Sequence, residues 1–275
     1  MKVDETMAEE KKSLARQYWE RALQTNDYEQ ASKLFFKLKE SEELDYELCH
    51  VMGLWFRQMG DYASSVGAFG LGLVNKPDSY ELYYEAGVTL QEMGMYDAAE
   101  RQYRSSLALK PNFIDGWYCL GQVLANQDKN EEARKAYCKA LGLTKNVQEM
   151  IALAVEFSAI GDADQAIHVY YQGLLLEPDN YYLYSNIGIE LAEQGDYRDA
   201  VFCHEKALQM APDSADIWYN AACTYALMNE PMRGLLALEK AVTLDPENRA
   251  YAMQDTELES LHKHKRFWKL VKQET

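Results

Sequence analysis

No apolar run in this chain approaches the roughly 18 residues that a membrane-spanning helix needs. Basic residues are scarce. Lys and Arg number 28 against 44 Asp and Glu, so the formal net charge is −16. Nucleic-acid backbones and anionic membranes both attract clustered Lys and Arg, so neither is the expected partner. An acidic surface is compatible with basic protein partners and, more simply, with solubility. The N-terminal MKVDETMAEEKK has no apolar core segment, and no secretory signal is expected from it. The five cysteines, Cys49, Cys119, Cys138, Cys203 and Cys223, are odd in number and form no C-x-x-C pair. Neither a disulfide framework nor a zinc site is expected, and a reducing cytoplasm fits best.

Catalytic signatures are also missing. The sequence holds no G-x-x-x-x-G-K-[ST], no G-x-S-x-G and no H-E-x-x-H. His262 and His264 are two apart, so on a helix they point away from each other and read as surface histidines. His204 stands at a core aromatic position and reads as a satisfied core histidine. Cys223 has no adjacent basic residue to activate it. The expectation is a chain that is not an enzyme and carries no cofactor and no metal.

What is present is a period. Five of the six prolines, Pro77, Pro111, Pro178, Pro212 and Pro246, are separated by 34, 67, 34 and 34 residues. The gap of 67 is two repeats less one residue, and a fixed period in the thirties marks a helical solenoid. With these prolines at position 32, seven repeats span 12–45, 46–79, 80–113, 114–146, 147–180, 181–214 and 215–248. Position 8 is small after the first repeat: Gly53, Gly87, Gly121, Ala154, Gly188 and Ala222. Position 24 is mostly large and aromatic: Phe35, Phe69, Tyr103, Tyr137, Tyr170, His204 and Leu238. Small and large residues alternating in this way predict closely packed helix pairs. Position 15 carries Asn26, Gly60, Gly94, Asp128, Gly161, Gly195 and Asn229, types that tolerate the left-handed turn ending a helix. Asp27, Asp61, Asp162 and Asp196 follow, placed to cap the next helix. Pro231 sits where the second helix of its repeat should start.

The run Trp117-Tyr118-Cys119-Leu120-Gly121, with Leu124, Ala133, Tyr137 and Ala140, resembles the tetratricopeptide repeat family, and the likeness extends over roughly residues 12–248. The resemblance implies an all-α fold: a right-handed α-α superhelix of about seven helical hairpins with a concave inner face. The pentatricopeptide family, which reads RNA, has a similar period, but the acidic balance and the Gly at position 8 argue against it. Residues 1–11 read as a flexible N-terminus, and residues 249–275 as a capping helix and tail. Thr256 and Glu259 form a capping-box pattern there, and Leu258, Leu261, Phe267 and Leu270 form its apolar stripe. Lys263, Lys265, Arg266, Lys269 and Lys272 make its other face basic: a solvated face or a docking surface for acidic groups. The shortened fourth repeat, at Thr144-Lys145-Asn146, predicts a local change of pitch, with a sub-domain boundary as the alternative.

The family resemblance also implies where a ligand would lie, because positions 2, 5, 9, 12 and 13 share one face of the first helix. The groove candidates are Leu54, Tyr84, Val88, Tyr118, Gln122, Ile151, Val155, Ser185, Ile189, Tyr219 and Cys223, and position 2 adds an acidic edge of Glu47, Glu81, Asp115 and Asp216. Two readings of the apolar strip stand. It receives an apolar or amphipathic segment with basic flanks, or it packs against neighbouring first helices and is barely exposed. Relatives that bind the acidic termini of heat-shock chaperones use a Lys and Asn clamp in the first repeat. Arg16 and Glu20 stand there instead, which argues against that partner class. The expected function is a protein-interaction scaffold or adaptor. A holding chaperone for an aggregation-prone or secreted client is one alternative, and a self-assembling structural protein, hence a homo-oligomer, is another.

Overall fold

The computed structural model describes Lys33 and residues 45–272. The expected flexible N-terminus, and the first repeat apart from Lys33 and Asp45, lie outside the described residues. Among those residues every regular element is helical. The helices are set by short local signals. Gly60, Gly94, Asp128, Gly161, Gly195 and Asn229 all adopt positive φ, between 59° and 87°. Each ends a helix and reverses the chain within three or four residues. The side chains of Asp61 and Asp162 accept from the backbone N–H of Ser64 and Gln165, capping the helices that follow. Asp196 stands at the same position without such a bond. Pro231 opens its helix, where a missing N–H costs nothing.

The chain forms two compact units that meet in sequence at Leu143 and Thr144, inside the repeat that lost its proline. The N-terminal unit contains α1 (Tyr46–Gln58), α2 (Tyr62–Asn75), α3 (Tyr80–Glu92), α4 (Tyr96–Leu109), α5 (Ile114–Ala125) and α6 (Asn130–Leu141). The C-terminal unit contains α7 (Val147–Ala159), α8 (Ala163–Leu176), α9 (Tyr181–Glu193), α10 (Tyr197–Met210), α11 (Ala215–Leu227) and α12 (Pro231–Leu244). Odd and even helices pair as hairpins, and within each unit the second helix of one hairpin packs on the first helix of the next.

Packing inside a hairpin depends on missing side chains. A Cβ added at Gly53 would lie 2.3 Å from Phe69, one at Gly87 would lie 2.7 Å from Tyr103, and one at Gly121 would lie 2.2 Å from Tyr137. The ring at position 24 therefore lies flush on the backbone at position 8, and all three rings are fully buried. Buried hydroxyls are satisfied across the pair: Ser65 donates to the Gly53 carbonyl at 2.8 Å, and Tyr103 to Gln91 at 2.8 Å.

After Pro246 the chain does not form the single capping helix expected. It breaks into α13 (Asn248–Ala252), a 3-10 turn (Thr256–Leu258), α14 (Glu259–His262) and α15 (Lys265–Lys272). The local cap also differs: Asp255, not Thr256, receives a backbone N–H, from Glu257 at 2.9 Å. Leu258, Leu261, Phe267 and Val271 are buried against α11 and α12, with Leu270 partly buried beside them. His262 is no free surface histidine. Its ring lies 4.5 Å from that of Phe267 and 5.5 Å from that of Trp268. Lys263, Lys265, Arg266, Lys269 and Lys272 remain exposed, and Arg266 pairs with Glu239.

Candidate functional site

The candidate groove residues fall into three groups. In the N-terminal unit, Leu54, Tyr84, Val88, Tyr118 and Gln122 are all partly exposed. Tyr84 is held by ring contacts to Phe113 at 4.9 Å and Tyr103 at 5.9 Å, and burial raises its hydroxyl pKa. Tyr118 lies against Tyr137 at 6.2 Å, and Gln122 accepts from Gln91 at 3.4 Å. In the C-terminal unit, Val155 is 50% exposed and Ile189 partly so, whereas Ile151 and Ser185 are buried and have little surface for a ligand. The third group, Tyr219 and Cys223, is covered by the chain's own C-terminal segment. The Tyr219 hydroxyl donates to Asp255 Oδ2 at 2.8 Å, and the Cys223 thiol approaches the same oxygen at 3.6 Å. The acidic edge, Glu47, Glu81, Asp115 and Asp216, is exposed at all four positions.

Burial and the carboxylates of Asp255 and Glu257 push the Cys223 thiol far up from its ordinary value. A protonated, covered thiol is a poor nucleophile. Cys223, Asp255 and Glu257 bring three ligand atoms within 4.8 Å of one another, with Asp255 Oδ2 already engaged by Tyr219. His204 is 1% exposed, and neither ring nitrogen has a hydrogen-bond partner, so it is not the satisfied core histidine expected. Burial lowers its pKa to about 4, leaving it neutral near pH 7.

One feature the first-helix pattern missed is an open pocket of about 900 Å³ in the C-terminal unit. Gln148, Ile151 and Ala152 of α7 line one side, and the loop Glu177–Asn180 with Tyr181 and Tyr182 lines the other. Both tyrosines are about half exposed, at 44% and 51%. Position 31 was the available signal. Lys76 and Lys110 occupy it in two earlier repeats, and Glu177 occupies it here.

A tetratricopeptide-repeat family model matches residues 84–146 and 185–249. Over these residues the chain is built of tetratricopeptide repeats. Its all-helical hairpins have the solenoid fold of solved tetratricopeptide repeat structures. The C-terminal part of a tetratricopeptide repeat-containing protein from Cytophaga hutchinsonii aligns with a TM-score of 0.68 at 17% identity, over 85% of this chain and 96% of that one. A tetratricopeptide repeat protein from Parabacteroides merdae aligns with a TM-score of 0.55 at 16% identity, over 91% and 98%. YrrB, described as a tetratricopeptide repeat protein with an unusual peptide-binding site, aligns with a TM-score of 0.52 at 22% identity, over 71% and 97%. At these identities the likeness is one of fold. A search of curated proteins gave no match. Among the described residues no helix is long and apolar enough to cross a membrane.

Proposed function

We propose that this tetratricopeptide repeat protein is a non-enzymatic interaction scaffold that binds an extended or helical partner segment on the first-helix face of its hairpins. The observation that carries the reading is Val155. It is an apolar residue at groove position 9, half exposed, with the partly exposed Ile189 at the same position of the next repeat. Apolar surface that continues from one repeat to the next gains from being covered by a partner segment. The exposed carboxylates at position 2 add a preference for basic flanks. YrrB, similar in fold, is described by its peptide-binding site, which agrees with this use of the fold.

Capture from lysate with the wild type and with Val155→Asp, Ile189→Asp is the test, after circular dichroism shows that both are folded. A partner retained by the wild type and lost by the variant is the expected result. Equal capture by both would sink the groove reading. A second reading, self-assembly through the second helices, is favoured by Leu175, 83% exposed on α8, and Phe202, 56% exposed on α10. Light scattering that shows oligomers in the wild type and monomers for Leu175→Ser, Phe202→Ser would support it.

A further inference from the structure

The four loops that leave a second helix through a similar backbone conformation offer an internal comparison. Lys76, Lys110, Glu177 and Ala211 each cap the C-terminus of such a helix, with φ between −139° and −128° and ψ between 70° and 83°. A side chain therefore leaves each site from nearly the same backbone geometry. Lys76 uses it to place its ammonium 4.1 Å from the ring centroid of Tyr46. Lys110 does the same over Tyr80 at 4.0 Å and donates to the Tyr80 hydroxyl at 2.7 Å. In these two repeats the tyrosine at position 1 is covered by a cation from its own repeat.

The third tyrosine of this kind, Tyr181, has Ala211 where the others have lysine, and it is 44% exposed. The pocket beside it carries Glu177, which holds position 31 of the preceding repeat, the one that opens on Val147, together with Asp179. Among the described residues that line the pocket none is basic. Glu177 accepts from the side-chain amide of Asn180, the cap of α9, at 2.7 Å, and as a carboxylate at a helix C-terminus it opposes the helix dipole. Two tyrosine faces, two carboxylates and the apolar surface of Ala152 and Pro178, with the edge of the largely buried Ile151, together suit a long cationic side chain. The ring faces and carboxylates would take its charge, and the apolar wall its methylenes.

We infer that the pocket between α7 and the start of α9 receives a lysine or arginine side chain of a partner peptide, supplied from outside where two earlier repeats supply their own. The inference rests on the groove reading above and names the anchor on the partner.

Fluorescence anisotropy tests it with three labelled peptides: a leucine–lysine–alanine repeat, its glutamate counterpart and its norleucine counterpart. The wild type is expected to bind the lysine peptide and to reject the glutamate one. Glu177→Lys restores the residue of the sibling repeats on the same backbone and should weaken lysine-peptide binding by about tenfold or more. Tyr181→Ala, Tyr182→Ala should weaken it as well, with circular dichroism unchanged for both variants. No preference of the wild type for lysine over glutamate or norleucine overturns the inference, and so does unchanged affinity in Glu177→Lys. If Val155→Asp abolishes binding while Glu177→Lys does not, the pocket is wrong and the groove reading survives. If Glu177→Lys alone abolishes it, the pocket stands and the apolar strip is not part of the site.

Discussion

His204 shows how one residue can set the chemistry of a repeat. Its siblings at position 24 are Phe69, Tyr103, Tyr137 and Tyr170, all of which fill the gap over a small residue at position 8. The imidazole fills the same gap, and a Cβ at Gly188 would lie 2.6 Å from it. Its nitrogens, however, find no partner, and burial lowers its pKa from 6.5 to about 4. The unfolded chain therefore takes up this proton first as the pH falls. The stability tied to neutral His204 is complete above about pH 6.5 and is lost progressively as the pH drops toward 4. The shift corresponds to about 3 kcal/mol over that window. His204→Phe, which restores the Phe69 arrangement, is expected to raise the urea midpoint at neutral pH and to flatten its fall toward pH 5. A variant as acid-sensitive as the wild type would show that another group controls the window.

The elements divide into those the sequence made legible and those it did not. The turns were legible because their cause is local. Gly or Asn at position 15 is demanded by the left-handed backbone found at Gly195 and Asn229, whatever surrounds them. The pairing of position 8 with position 24 was legible because it recurs from the second repeat onward. The covering of Tyr219 and Cys223 was not, because the side chain responsible, Asp255, lies 36 and 32 residues away in an irregular segment with no period. The pocket beside Tyr181 escaped for a similar reason, since it joins one helix face to a loop. The C-terminal segment can be tested as an element. Asp255→Ala removes the acceptor of the Tyr219 hydroxyl and the Cys223 thiol and the cap of the 3-10 turn. Cys223, 5% exposed in the wild type, should then react faster with a thiol reagent, read by mass spectrometry against the exposed Cys138. An unchanged Cys223 rate would mean that Leu258 and Leu261 hold the segment in place without Asp255.

At the scale of the whole chain, stability in such a fold is a sum of repeat terms and neighbour terms, because within each unit a hairpin packs on the hairpin beside it in sequence. The division at Leu143 and Thr144 falls in the one repeat that is a residue short, where the regular proline is replaced by Thr144-Lys145-Asn146. A lesion on one side of that division should therefore act mainly on its own side. Gly121→Ala places a methyl group 2.2 Å from the Tyr137 ring, an overpacking expected to cost about 1–3 kcal/mol. Native-state hydrogen exchange on the full chain should show faster exchange through α3–α6 and little change through α9–α12. His204→Phe should act in the opposite sense, slowing exchange in α9–α12 and leaving α3–α6 as they were. If either substitution shifts both units equally, the chain unfolds as one cooperative block, and the division at residue 143 is a feature of packing and not of energy.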